Sequence, residues 1–250
     1  VYSEEVENSL GEIVATLDEP SDAREACLHG GHLYISRVEP VLEVLDLSDP
    51  AKPKPLTSID LGEFGWFLNV QGDRLWVGYD SKGIDLFSLE DPAKPTLVTN
   101  FPAYQSVFFL SKEGHLGAFT QKSGGIVLLD VTDPHKPRKI SEYFAGARVV
   151  RACYEKPYLS LALGGLGYQI VDLSYPLAPA FKTLGYPGNM VTGCVCVDGA
   201  AVFVDADGKI VAVDCRSSKF SSKTLAEESE YRDFEVSQDG RIFLRGRNSI

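Results

Sequence analysis

Three clusters of guanidinium and carboxylate groups offer this chain its most distinctive chemistry. They are Arg24 with Glu25, Arg148 with Arg151, and Arg232 with Asp233. Arginine presents a planar fork of donors suited to carboxylate or phosphate oxygens. Large side chains that anchor protein interfaces recur beside them, namely Trp66, Tyr104 and Met190, with Phe64, Phe67, Tyr186 and Tyr231 nearby. Cys194 and Cys196 with His29 or His32 could ligate a metal, but a Cys-x-Cys pair without a second pair is a weak signal. Asp205-Ala206-Asp207-Gly208 begins like a calcium loop, yet lacks the later ligands, and an Asp-Gly hairpin turn explains it as well. No Gly-x-Ser-x-Gly elbow, His-Glu-x-x-His helix or phosphate-binding glycine loop ahead of a helix is present. His29, His32, His115 and His135 have no Ser or Cys partner recognisable from sequence.

The elements that must position these residues follow from a repeat. Asp46, Ser88, Asp130, Asp172 and Asp214 stand at a constant interval of 42 residues. Around them runs a pattern of apolar residues, Asp, an apolar residue, Ser or Thr, then Asp-Pro-x-Lys-Pro, over 42–53, 84–95, 126–137 and 168–179. A decayed copy occupies 210–221. Such a period marks a repeat architecture. Each unit carries short runs rich in Val, Ile, Phe and Tyr, punctuated by Gly, Pro and Asp, and no sustained helical period. Four antiparallel strands per unit match the blade of a β-propeller.

The columns have mechanical meanings. Gly83, Gly125 and Gly167 precede the third strand, where a tight hairpin needs positive φ. Pro50, Pro92, Pro134 and Pro176 end that strand, because proline cannot donate to a ladder. Stepping back one period from Asp46 lands on Glu4, and Tyr231–Gly246 supplies two further runs. The reading is therefore an all-β, six-bladed propeller forming one domain over residues 1–250, its last blade closed by 1–17 together with 231–246. Closure removes exposed sheet edges.

The runs VLEVLDLSDPAKP, GIDLFSLEDPAKP, GIVLLDVTDPHKP and GYQIVDLSYPLAP resemble LVIVD repeats. That resemblance spans most of the chain and implies a repeat propeller, many of whose members are bacterial or archaeal surface or secreted proteins. It implies no shared catalytic residues. The departures are Ser88 for Asp, Lys209 for Gly, and Cys215-Arg216-Ser217-Ser218 in place of the fifth corner.

Composition bounds the partners. A net charge of −11 disfavours nucleic acid, which needs clustered Lys and Arg. No run approaches the length of a membrane span, so membrane insertion is not expected. A monomer, or a domain of a larger protein, is the expected state. The resemblance places the chain at the cell surface or outside the cytoplasm, with a cytoplasmic protein as the alternative. The five cysteines show no disulfide spacing logic and read as thiols, with Cys27 and Cys153 in one column three blades apart.

Repeat alignment places Arg24, Glu25, Trp66, Tyr104, Arg148, Arg151, Met190 and Arg232 in loops and strand starts around one channel mouth. Inter-blade packing is the competing reading for each aromatic. The arginines either pair with Glu25, Asp233 or Glu235 across the channel or form an anion pocket. The functional expectation is a non-catalytic binding or interaction scaffold using that mouth, with no cofactor required. The first alternative is a lactonase-like hydrolase holding a divalent cation such as calcium, which needs Glu25, Glu63, Asp233 and Glu235 to converge. The second is an architectural surface domain with no discrete site.

Overall fold

A computed structural model describes residues 23–109, 115–217, 219–227, 231–236 and 242–246. The repeat appears as five four-stranded antiparallel meanders. The first comprises β1 (Ala23–His29), β2 (His32–Arg37), β3 (Val41–Asp46) and β4 (Lys54–Asp60). The second comprises β5 (Phe67–Gln71), β6 (Arg74–Gly78), β7 (Ile84–Ser88) and β8 (Thr96–Phe101). The third is β9 (Tyr104–Phe109), β10 (Leu116–Gln121), β11 (Ile126–Asp130) and β12 (Arg138–Tyr143). The fourth is β13 (Arg151–Glu155), β14 (Tyr158–Ala162), β15 (Tyr168–Asp172) and β16 (Ala180–Gly185). The fifth is β17 (Val191–Val197), β18 (Ala200–Asp205), β19 (Ile210–Asp214) and β20 (Ser222–Ala226). A two-stranded sheet, β21 (Tyr231–Val236) and β22 (Ile242–Gly246), follows. The expected N-terminal contribution from 1–17 lies outside the described residues.

The repeated Asp is a turn device. Asp46, Asp130, Asp172 and Asp214 each accept a hydrogen bond from the backbone N–H two residues on, at 2.7, 3.0, 2.7 and 2.9 Å. This side-chain mimic of a backbone turn redirects the chain out of the third strand. Ser88 does the same with its hydroxyl, from Glu90 N–H at 3.3 Å, so the substitution keeps the geometry. A second such turn follows at Asp49, Asp91 and Asp133. Gly83, Gly125 and Gly167 hold φ of 100°, 86° and 78°, and a Cβ at any of them would strike a backbone carbonyl oxygen.

The innermost strands β1, β5, β9, β13, β17 and β21 neighbour one another in chain order. The core accordingly lies between sheets. Tyr34, Leu42 and Val44 of the first sheet pack with Leu75, Val77 and Leu89 of the second. Trp76 and Phe101 of the second sheet meet Phe119 of the third, with ring centroids 5.4–5.7 Å apart. Successive seams repeat this arrangement. The result is a propeller-like stack.

One cysteine expectation is corrected. Cys153 on β13 and Cys196 on β17 form a disulfide between adjacent sheets, with Cα atoms 5.5 Å apart. Their separation is 43 residues, one more than the repeat. Residues in one column all point to the same side of their sheets. A bridge between neighbouring sheets therefore joins opposite parities, which comparison within a column overlooks. Cys27, Cys194 and Cys215 carry thiols outside the disulfide.

Candidate functional site

Loop anchors shape one mouth of the stack. The β4–β5 connection is tied to the β6–β7 hairpin through Glu63, which accepts from Ser81 N–H at 2.8 Å, Ser81 hydroxyl at 2.6 Å and Lys82 N–H at 3.0 Å. The Ser81 hydroxyl, with these backbone donors, holds the Glu63 carboxyl below its usual range. The β12–β13 connection is fastened by Gly125 N–H donating to Ala147 oxygen at 3.1 Å and Val150 N–H to Ala162 oxygen at 2.8 Å.

Between these loops Arg151 donates to Glu25 at 3.0 Å, linking the fourth sheet to the first. Both side chains are largely shielded from water. Arg148 lies over the Trp66 ring, 5.3 Å from its centroid, and reaches Asp80 at 3.6 Å. That second pair is about half exposed at each end, so its electrostatic gain is small. Glu25, Trp66 and residues 148–151 line a cavity of about 340 Å³. It offers an indole face, two guanidinium groups and a carboxylate. This set suits recognition of mixed polar and aromatic surface.

The structure brings together four of the eight expected residues: Glu25, Trp66, Arg148 and Arg151. Arg24 is exposed on β1, on the opposite side of the strand from Glu25. Tyr104 packs within the seam of the second and third sheets, 5.3 Å from the Phe119 ring, and burial raises its hydroxyl pKa. Met190 is 48% exposed and lies against Gly164. The Arg232 side chain lies outside the described residues.

The hydrolase alternative asked four carboxylates to converge. Glu25 is engaged by Arg151, and Glu63 is engaged by Ser81 and Lys82. The side chains of Asp233 and Glu235 lie outside the described residues. Among the described residues, no group of three or more His, Cys, Asp or Glu side chains is arranged to hold a metal ion. Asp205 is buried and binds the N–H groups of Asp207 and Lys209, so that segment is a hairpin turn. His29 reaches Asp73 at 3.5 Å, and His32 bonds its own hairpin at Gly30 oxygen.

Sequence reasoning missed a buried network near the mouth. Asp85 is 1% exposed and accepts from Tyr79 hydroxyl at 2.9 Å, Lys82 at 2.6 Å and Asn100 at 2.7 Å. Burial, with the Asp85 carboxylate alongside, drives the Tyr79 hydroxyl far up. The available signal was an acidic residue in the otherwise apolar start of β7. Also missed were Phe144 and Leu166, exposed at 71% and 51% in loops beside the mouth.

No protein-family model and no curated protein matches this chain. Solved structures do share its fold. The computationally designed Ika8 protein superposes with a TM-score of 0.65 at 10% identity, over 90% of this chain and 70% of that one. PorZ is an essential bacterial surface component of the type-IX secretion system of Porphyromonas gingivalis. It superposes with a TM-score of 0.61 at 19% identity, over 91% of this chain and 31% of PorZ. This chain thus spans about a third of PorZ's length. Identities this low carry the fold alone. The architecture is an all-β, propeller-like array of repeated four-stranded sheets, compatible with a scaffold role. Among the described residues, no helix is long and apolar enough to cross a membrane.

Proposed function

We propose that the chain is a non-catalytic binding module of the LVIVD-repeat type that engages a protein partner through the loops at one channel mouth. One observation carries this reading. Phe64, Phe144, Leu166, Tyr186 and Met190 are exposed at 40–71% in the loops that surround the Arg148–Trp66 pair. Large apolar side chains rimmed by polar groups mark interaction surfaces. Arginine and aromatic residues are the types that dominate binding energy there.

The scaffold in this reading is a six-bladed propeller whose last blade takes strands from 1–17 and 231–246. The Glu25–Arg151 pair supports six, because residues three repeats apart face each other across the axis only when three repeats are half the ring. The Cys153–Cys196 disulfide supports an oxidising compartment outside the cytoplasm, where such bonds persist. The likeness to a bacterial surface component points the same way.

The test places a photocrosslinking residue at Met190 or Phe144, with Leu56 on the outer strand β4 as control. A single crosslinked species from the two mouth positions and none from Leu56 is the expected result. Equal labelling from all three positions would remove the mouth as a binding surface.

A further inference from the structure

A second site emerges on the other face, independent of the channel mouth, from how the seams are filled. In the middle of the second strand, Tyr34 and Trp76 plug the first two seams and are fully buried. Tyr34 hydroxyl reaches across its seam to Pro92 oxygen at 2.8 Å. The third sheet holds Ala118 in this column, where Leu173 from the next sheet helps fill the seam, and the fourth sheet holds Ser160. Behind each corner, Leu89, Val131 and Leu173 are buried against the preceding sheet. In the fifth sheet that column holds Cys215. Both walls of the seam between the fourth and fifth sheets are therefore built from smaller residues.

The consequence is a cavity of about 380 Å³ whose lining includes Glu155, Tyr158, Ser160, Cys196, Gly199 and Cys215. Among the described residues, two polar groups in its wall lack partners. Ser160 is 1% exposed, and its hydroxyl bonds to nothing. Glu155 takes Gly199 N–H on one carboxylate oxygen at 2.8 Å, while the other oxygen is buried and unpaired. Buried polar groups normally find a partner, so this pair asks for a hydrogen-bond donor. A cation is favoured, because one acceptor is a carboxylate. Lys156 and Arg216 supply positive charge in the same lining, with Arg216 also held to Asp214 at 3.0 Å. The Tyr158 ring, set edge-on to Phe220 at 5.1 Å, adds an apolar wall.

We infer that this cavity binds a free α-amino acid. Its ammonium group donates to Glu155 and Ser160, its carboxylate faces Lys156 and Arg216, and its side chain rests on Tyr158 and the Cys153–Cys196 disulfide. The three elements of the site match the three parts of such a ligand in charge and polarity.

The test is saturation-transfer NMR on the intact chain, with the proteinogenic α-amino acids as probes, one at a time, at millimolar concentration. L-Leucine is divided further into isopentylamine, which lacks the carboxylate, and 4-methylpentanoate, which lacks the ammonium group. At least one amino acid is expected to bind, with the amine retaining weak binding and the acid none. Glu155→Gln keeps an acceptor for Gly199 N–H but loses the charge, and should weaken binding about tenfold or more. Cys215→Leu restores the side chain that other repeats carry and fills the cavity. It should abolish binding while the chain stays folded. Absence of transfer to every amino acid overturns the inference. So does binding that survives Cys215→Leu, or binding by 4-methylpentanoate in preference to the amine.

Discussion

The Glu25 carboxylate meets the Arg151 guanidinium at 3.0 Å although 126 residues separate them in sequence. That distance along the chain is three times the 42-residue period. Ser36 and Ala162, their partners on the second strands, are likewise three periods apart. The two residues thus hold the same column, and the ion pair joins the first sheet to the fourth rather than two sheets adjacent in the chain. Glu25→Gln and Arg151→Ala should each destabilise the fold by about 1–2 kcal/mol, since each leaves a shielded group without its partner. In a double-mutant cycle measured by urea unfolding, the two changes should couple by about 1 kcal/mol. Strict additivity would show that the pair contributes nothing.

The disulfide has a countable consequence. Five cysteines with one bridge leave three thiols. Alkylation of the unfolded, unreduced chain should add three labels by mass, and prior reduction should raise this to five. Cys153→Ser should lower stability by about 4 kcal/mol, as expected when a loop of this length is opened. In the folded protein Cys215 should alkylate slowly at neutral pH, because burial pushes its thiol pKa up.

The corner aspartates should contribute to the acid sensitivity of the fold. Thr132 hydroxyl, with Arg138, draws Asp130 down to about 2, and Ser174, with Lys182, draws Asp172 down to about 2. Both values lie below the ordinary 3.8. A carboxyl whose pKa is depressed by folding stabilises the native state above its unfolded pKa, and this contribution fades as pH falls towards the folded value. Unfolding midpoints followed by circular dichroism should therefore decline between about pH 4 and pH 2. Asp130→Asn and Asp172→Asn should flatten that decline. An unchanged slope in the double variant would place the acid sensitivity elsewhere.

Gly167 sits at φ 78° with the Gly185 carbonyl oxygen where a Cβ would go. Gly167→Ala should cost about 2 kcal/mol, combining backbone strain with displacement of β16. The measurement is a thermal melt. Gly165→Ala, with open space around its Cβ, serves as the near-neutral comparison.

Much of the architecture was legible because its determinants are local. An Asp that bonds its own chain two residues on leaves a mark at every turn, and so does a glycine forced to positive φ. The ends were not testable in the same way, since the proposed partner strand over 1–17 lies outside the described residues. The site was half legible. Column alignment found Glu25, Trp66, Arg148 and Arg151 because they sit at strand starts that the repeat fixes. It could not separate Tyr104, whose ring turns into the seam, from a residue at the mouth. It missed Phe144 and Leu166, because exposure in an irregular loop has no period. The Cys153–Cys196 bridge escaped because it depends on which face of neighbouring sheets each residue occupies.

Each corner makes its first bend locally, with Asp46, Asp130, Asp172 and Asp214 each accepting from the backbone N–H two residues ahead. A segment copied by gene duplication therefore brings its own bend and needs no compensating change in its neighbours. Lineages could lengthen or shorten such an array unit by unit. Redundancy also releases single copies from selection for sameness. The fifth unit carries Cys215 and Arg216 in place of the corner sequence and still makes the bend, through Asp214.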